Sequence, residues 1–249
     1  MDYFSQRSHK LLAGLRAHNN REWFEAHRDE IEELLLAPAR WLVVETGAML
    51  SAILPDLVAE PRIDRSIYRL RRDTRFSKDK NPYKSHLGLI WWLDRPEGKL
   101  ESPCFYFHLE PDGWLWSAGC YRFSDAALLT WRNLLATEDK AADWLNLAAK
   151  LQRAGLTFNE PELKRAPAGS SEAASPWLRR KGLYTWPGTL TPAGPELWGP
   201  GAAKLLFDHF KTAVPLMNFL KNLYELRPPS AAPPARRGGA RPGRYAEDF

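Results

Sequence analysis

A chain of 249 residues is long for one core and short for two, and its 44% hydrophobic and 26% charged residues are an ordinary globular balance. Two cysteines, with no CxxC and no Cys/His cluster at zinc spacing, argue against a disulfide framework and a structural metal, and no cofactor motif is present. The first residues lack a basic region followed by an apolar run, and no stretch reads as a membrane span of about 20 apolar residues, so a cytoplasmic protein without a membrane partner is expected.

The net charge of +5 is unevenly spread. Residues 65 to 86 hold Arg65, Arg69, Arg71, Arg72, Arg75, Lys78, Lys80 and Lys84 against Asp73 and Asp79, and five further Arg lie beyond residue 226. The rest of the chain is net acidic. A local excess of one sign points to an anionic partner more than a uniformly basic surface does, although many charge runs are solvated faces.

In chain order, residues 8 to 54 read as helical. Leu11, Leu12 and Leu15 form an apolar stripe, Asn20 is placed to cap a second helix, and Pro38 to open a third. From Arg62 the texture turns β-branched, aromatic and period-two, with strands expected at Ile63 to Leu70, Leu87 to Leu93, Cys104 to Leu109 and Trp114 to Tyr121. Ser124 is a cap for a helix through Leu135, Asp143 to Leu151 suggests another helix, and Gly182 to Trp186 a last strand. A helix from about Ala202 to Leu226 is expected to break or restart at Pro215. Helices, then strands, then helices imply an α+β fold: an antiparallel meander flanked by N-terminal and C-terminal helices, with one domain over residues 1–226. Residues 227–249, rich in Pro, Gly, Ala and Arg, are expected to be disordered.

Glu110-Pro111-Asp112-Gly113-Trp114 signals a hairpin. With Pro111, Asp112 and Gly113 as a three-residue loop, Glu110 faces Trp114, His108 faces Trp116, Tyr106 faces Ala118 and Cys104 faces Cys120. Alternation then puts Phe105, Phe107, Leu109 and Leu115 on a core face, and Tyr106, His108, Glu110 and Trp116 on a face suited to wall a pocket. A buried, hydrogen-bonded His108 is an equally good reading of that pattern.

The segment RSIYRLRRDTRFSKDKNPYKSH has no apolar periodicity from Asp73 to Tyr83, and Asn81-Pro82 favours a turn, so a structured loop between strands is expected. Arginine forks bind carboxylate or phosphate through paired hydrogen bonds, lysine adds a mobile charge, and Phe76 and Tyr83 between them suit stacking on a base. Structural ion pairing with Asp73, Asp79, Glu22 or Glu110 is the competing account.

Three blocks, NNREWFEAHRDEIEELLLAPAR (Asn19 to Arg40), IYRLRRDTRFSKDKNPYKSHLG (Ile67 to Gly88) and FYFHLEPDGWLWSAGCY (Phe105 to Tyr121), with LKRAP (Leu163 to Pro167) as a weaker one, resemble the domain of unknown function 2461 family. That is a conserved hypothetical protein family of bacteria and fungi. The resemblance runs from about Leu11 to Leu226, implies one domain with the middle block as its signature, and implies no particular reaction. Ser175 to Trp198 departs from the family's pattern, with extra Trp and Pro.

No Walker A sequence, HExxH or GxSxG occurs, which lowers the case for P-loop hydrolysis, zincin proteolysis and α/β-hydrolase chemistry. Gly199 to Lys204 reads as a helix start, and Glu22 and Glu25 as charges favoured near a helix N-terminus. The expected site is therefore an anion site for a phosphate-bearing small molecule or nucleotide, with Arg69, Arg72, Arg75, Lys78, Lys80, Tyr83, Lys84 and Tyr106 as ligand-binding residues. His108 and Asp73 are the candidate proton carriers. A nucleic-acid-binding module and an interaction domain with internal ion pairs are the alternatives.

Overall fold

The structure, a computed structural model, describes residues 3–136, 138–185 and 189–226. The expectation of a disordered segment at 227–249 lies outside these residues, as does Trp186.

The N-terminal helices are α1 (Gln6–Ala17), α2 (Arg21–Ala26), α3 (Arg28–Ile31), a π-helical turn at Glu32–Leu36, and α4 (Ala37–Ser51). Asn20 caps α2 by accepting from the Trp23 N–H, satisfying one of the orphan donors of a helix start. Pro38 sits in the first turn of α4, but the π turn joins α3 to α4 so that Arg28–Ser51 is one helical run of 24 residues. By length and composition this run is apolar enough to cross a membrane, which corrects the expectation that no stretch is. Leu35, Leu42, Val43 and Leu50 are fully buried in the core. Such burial is also what the core helix of a water-soluble fold shows.

Five antiparallel strands in the order β1 (Leu57–Val58), β2 (Leu87–Leu93), β3 (Cys104–Glu110), β4 (Gly113–Cys120) and β5 (Leu183–Tyr184) form a meander, so the α+β architecture is as expected. Ile63 to Leu70 does not form a strand. It touches β2 through a single bridge from Ile67 to Leu89, flanked by Tyr68 N to Gly88 O (3.0 Å) and Ile90 N to Ser66 O (2.9 Å). Its period-two pattern reflects a segment laid along the sheet edge, one side of which is already taken by β1.

The remaining helices are α5 (Asp125–Leu135), capped by Ser124, then α6 (Glu138–Arg153), α7 (Ser175–Leu178), α8 (Pro195–Trp198), α9 (Ala202–Thr212) and α10 (Val214–Glu225). The break before Pro215 separates α9 from α10, since proline cannot donate to the preceding turn. One face of the sheet, carrying Leu87, Leu89, Trp91, Phe105, Phe107, Leu109 and Trp114, packs with these helices into one apolar cluster running from Tyr3 to Tyr224. The other face carries a separate small cluster of Ile90, Trp92, Cys104, Tyr106 and Leu115.

The β3–β4 register is one residue away from the expected one. Glu110 pairs with Gly113, His108 with Leu115, Tyr106 with Ser117 and Cys104 with Gly119, so the loop is only Pro111-Asp112. Gly113 pairs with Glu110 in the ladder rather than forming a bulge. Its φ of 156° is one that L side chains rarely adopt, and a Cβ there would meet the Thr191 carbonyl oxygen at 2.3 Å. The glycine makes room for residue 191, which exchanges both backbone hydrogen bonds with Trp114 (2.9 and 2.8 Å). The slip moves Trp116 to the helix-packed face, against Phe210, and Leu115 to the opposite face. It also separates Cys104 from Cys120, which point to opposite faces.

Candidate functional site

The cationic segment closes on itself. Arg71 and Tyr83 pair as an antiparallel bridge, with Arg72 N to Pro82 O at 2.8 Å and Lys84 N to Leu70 O at 2.7 Å beside it, which pinches off a loop. Asn19 clamps the closure: its side-chain NH2 donates to the Tyr83 carbonyl (2.9 Å) while its oxygen accepts from the Tyr83 N–H (3.0 Å). Phe24 stacks on the Tyr83 ring at 4.0 Å, so Tyr83 anchors the closure of the loop to α2.

Inside the loop the charges pair off. The Arg72 guanidinium, only 10% exposed, meets Asp79 and donates to the Asn81 carbonyl at 3.2 Å. Arg75 embraces Asp73 with contacts of 2.9 and 2.6 Å, which holds the Asp73 carboxyl down at about 2 and makes it a poor proton carrier near neutral pH. Lys80 donates to the Thr74 carbonyl (3.0 Å). Acids just upstream take others: Glu60 pairs with Arg62 and Arg65, and Asp64 lies 3.9 Å from Arg69. The eight cations therefore do not gather on one point. Arg71 and Lys78 are exposed and meet no carboxylate among the described residues, and Phe76, 78% exposed, marks the loop's outer end with the Arg75 guanidinium 5.7 Å from its ring.

Lys84 and Tyr106 lead elsewhere, to the sheet face opposite the helices. Tyr106 lies over Gly88 of the neighbouring strand, where a Cβ would stand 2.8 Å from its hydroxyl, so glycine is what lets the ring cross. Tyr68 packs edge-on against Tyr106 at 6.1 Å. Two lysines share the Tyr68 ring: the amine of Lys84, itself buried, lies 5.3 Å from its centroid, and that of Lys99 lies 4.6 Å away. Beside Tyr68 and Lys99 opens a small pocket, about 40 Å³, walled by these two residues with Cys104, Tyr106, Tyr121 and Tyr184. Leu100 at its rim is exposed, so the pocket reaches solvent.

Lys99 donates to the carbonyls of Asp64 (2.8 Å) and Arg65 (2.7 Å). Those carbonyls belong to a turn in which Asp64 adopts φ 64°, the only left-handed non-glycine conformation among the described residues. Burial holds the Lys99 amine down at about 8, with Asp64 partly offsetting that and Arg65 adding to it. Burial likewise raises the hydroxyl of Tyr106 and pushes the Cys104 thiol up to about 12, so both stay protonated.

His108 extends this face along β3. Its Nδ1 is 3.2 Å from the Tyr106 hydroxyl, its Nε2 is 4.0 Å from Glu110, and its ring stacks on His86 at 4.4 Å. Glu110 in turn binds Arg16 of α1 at 3.1 Å. The tautomer that suits these neighbours carries its proton on Nε2, towards the acceptor-only carboxylate, and accepts from Tyr106 at Nδ1. Burial first, and the charge of Lys84 second, lower the imidazole to about 4, so it is neutral at physiological pH.

Of the expected ligand residues, Lys84 and Tyr106 reach this face with His108, while Arg69, Arg72, Arg75, Lys78, Lys80 and Tyr83 stay with the loop and its anchor. Lys99, Tyr68, Tyr121 and Tyr184 were not legible as site residues. A lone lysine in Glu97-Gly98-Lys99-Leu100 has no spacing pattern, and Tyr68 reads as one apolar position of a strand.

No curated protein and no solved structure matches the chain. A family model described as conserved hypothetical protein (DUF2461) matches residues 8–219, spanning α1 into α10 and both the loop and the pocket. The chain belongs to that family.

Proposed function

We propose that the protein binds a small anionic molecule, phosphate- or carboxylate-bearing, in the tyrosine-walled pocket. The observation that carries this reading is the pair of lysine amines on the Tyr68 ring beside a mostly apolar cavity. Positive charge held among low-dielectric walls focuses an attractive potential for anions, and a few polar groups in an apolar pocket are the usual form of a small-ligand site. The phenol of Tyr106 and the neutral imidazole of His108 supply hydrogen-bonding partners behind it. If the site is catalytic, the amines would stabilise developing negative charge and His108 would carry the proton. Two buried free thiols fit a reducing, cytoplasmic setting.

Calorimetric titration with phosphate, pyrophosphate, nucleotides and small carboxylates tests the proposal. Lys99→Met should weaken the best ligand at least tenfold, whereas Arg75→Ala and Lys78→Ala should leave it unchanged. Loss of binding in the loop variants alone would move the site to the loop.

One observation favours a second reading, single-stranded nucleic acid. Phe76 is exposed on a loop with surplus cations, an arrangement suited to base stacking with phosphate contacts. Binding of a 20-nucleotide oligomer that falls steeply with salt, and weakens by about 1–3 kcal/mol in Phe76→Ala, would support it.

A further inference from the structure

We propose that Lys99 is a nucleophilic amine that captures carbonyl compounds entering the tyrosine pocket as a reversible imine. This deepens the small-anion reading and rests on it for the choice of ligand: a small aldehyde or keto acid.

Three features of geometry support this role. Lys99 is one of the residues walling a pocket that reaches solvent, and its amine lies 4.6 Å from the ring of Tyr68, another wall residue. Its nitrogen is fixed by two backbone carbonyls, those of Asp64 and Arg65, rather than by a carboxylate that would lock it as an ammonium ion. A free amine has two N–H groups, which match those two acceptors and leave the lone pair as the uncommitted position on nitrogen. The left-handed turn at Asp64 is what presents both carbonyls together, a strained conformation placed at this one amine.

The charged groups around the amine act in opposing directions. Asp64 favours the ammonium form and Arg65 disfavours it, while burial outweighs both and brings the amine to about 8. An exposed lysine titrates near 10.4, so at neutral pH Lys99 holds on the order of a hundredfold more free amine. Desolvated lysines of this kind serve as imine-forming nucleophiles.

The step balances without an oxidant or reductant. The Lys99 nitrogen adds to the carbonyl carbon, the carbonyl oxygen takes up a proton to give a carbinolamine, and loss of that oxygen as water with both amine protons leaves a C=N bond. Hydrolysis reverses it.

The full-length protein is incubated at pH 7.5 with glyoxylate and sodium cyanoborohydride, which reduces an imine to a stable secondary amine, and the modified lysines are mapped by peptide mass. The expected result is modification of Lys99 at least tenfold faster than any other lysine, saturating with glyoxylate. In Lys99→Arg, which keeps the charge, the fast phase should vanish while the melting temperature stays close to that of wild type. Uniform slow labelling, or labelling that spares Lys99, overturns the proposal. The neutral probe glycolaldehyde separates the two readings. Equal capture of both probes at Lys99 supports the amine chemistry and removes the preference for anions, whereas saturable heat with glyoxylate and no adduct overturns the imine alone.

Discussion

Asn19 pairs with Tyr83 as a strand residue would, accepting from its N–H and donating to its carbonyl with one side chain. The contact joins the N-terminal helices to the cationic segment 64 residues away. Tyr83 is buried, so without Asn19 two backbone groups would lose their partners where water replaces them poorly. Leaving a buried polar group unsatisfied costs about 1–3 kcal/mol. Asn19→Ala should lower stability by that amount in urea unfolding and expose the loop between Arg71 and Tyr83 to limited proteolysis. Asn19→Asp, which retains only the acceptor, should fall between. Unchanged stability in both variants would show that the clamp is ornamental to the fold.

Features written in local chemistry were readable from the sequence. The Asn20 and Ser124 caps, the break at Pro215 and the meander all follow from residues within a few positions of the element they shape. The β3–β4 register was not readable, because Gly113 answers to Thr191, far along the chain, rather than to its own turn. The fate of the cations was half readable. The expected partners Asp73, Asp79, Glu22 and Glu110 leave out Glu60 and Asp64 just upstream, and these take up Arg65 and Arg69. The pocket needed the fold, since it joins the loop before β2, the loop before β3, and strands β2 to β5.

The two arginines nearest the centre of the loop should behave differently when removed. Arg72 is largely buried, binds Asp79 and the Asn81 carbonyl, and organises the loop from within. Arg75 is 76% exposed and pairs with Asp73 at the surface. Breaking a partly buried pair strands its partner, whereas an exposed pair contributes about 0–1 kcal/mol. Arg72→Ala should therefore cost roughly 1–3 kcal/mol in chemical denaturation, and Arg75→Ala within about 0.5 kcal/mol. Equal losses would contradict the view of Arg72 as the hub.

Stability should fall in mild acid because of His108. Its folded-state value of about 4 lies below the roughly 6.5 of an unfolded chain, so between these the unfolded state binds more protons. The contribution is fully present above pH 6.5 and is lost as the pH falls towards 4, by up to about 3 kcal/mol on the usual linkage scale. His9 and His209, also lowered by burial, act in the same direction. The neighbours of His108 are Tyr106, His86, Lys84 and Glu110, and the last of these opposes the effect. Melting curves from pH 8 to 4 should slope more gently in His108→Asn than in wild type. An NMR titration placing the His108 midpoint above 6 would refute the assignment.

Cys104 and Cys120 should resist cross-linking. The register sets Cys104 opposite Gly119, and Cys120 turns to the helix-packed face, where its sulfur lies 3.2 Å from the Tyr224 hydroxyl and 3.2 Å from the Arg122 carbonyl. A disulfide needs Cβ atoms about 3.5–4.5 Å apart with side chains directed at each other, which residues on opposite faces do not offer. Burial also suppresses the reactive thiolate, raising Cys104 to about 12 and Cys120 further still. A thiol reagent such as DTNB should therefore label neither cysteine in the native protein and both after unfolding, at a rate set by global opening. Treatment with a mild oxidant should leave two free thiols. An internal disulfide formed without unfolding would mean that the two cysteines share a face, and with it the register that places Trp116 in the core and Tyr106 on the pocket wall would fail.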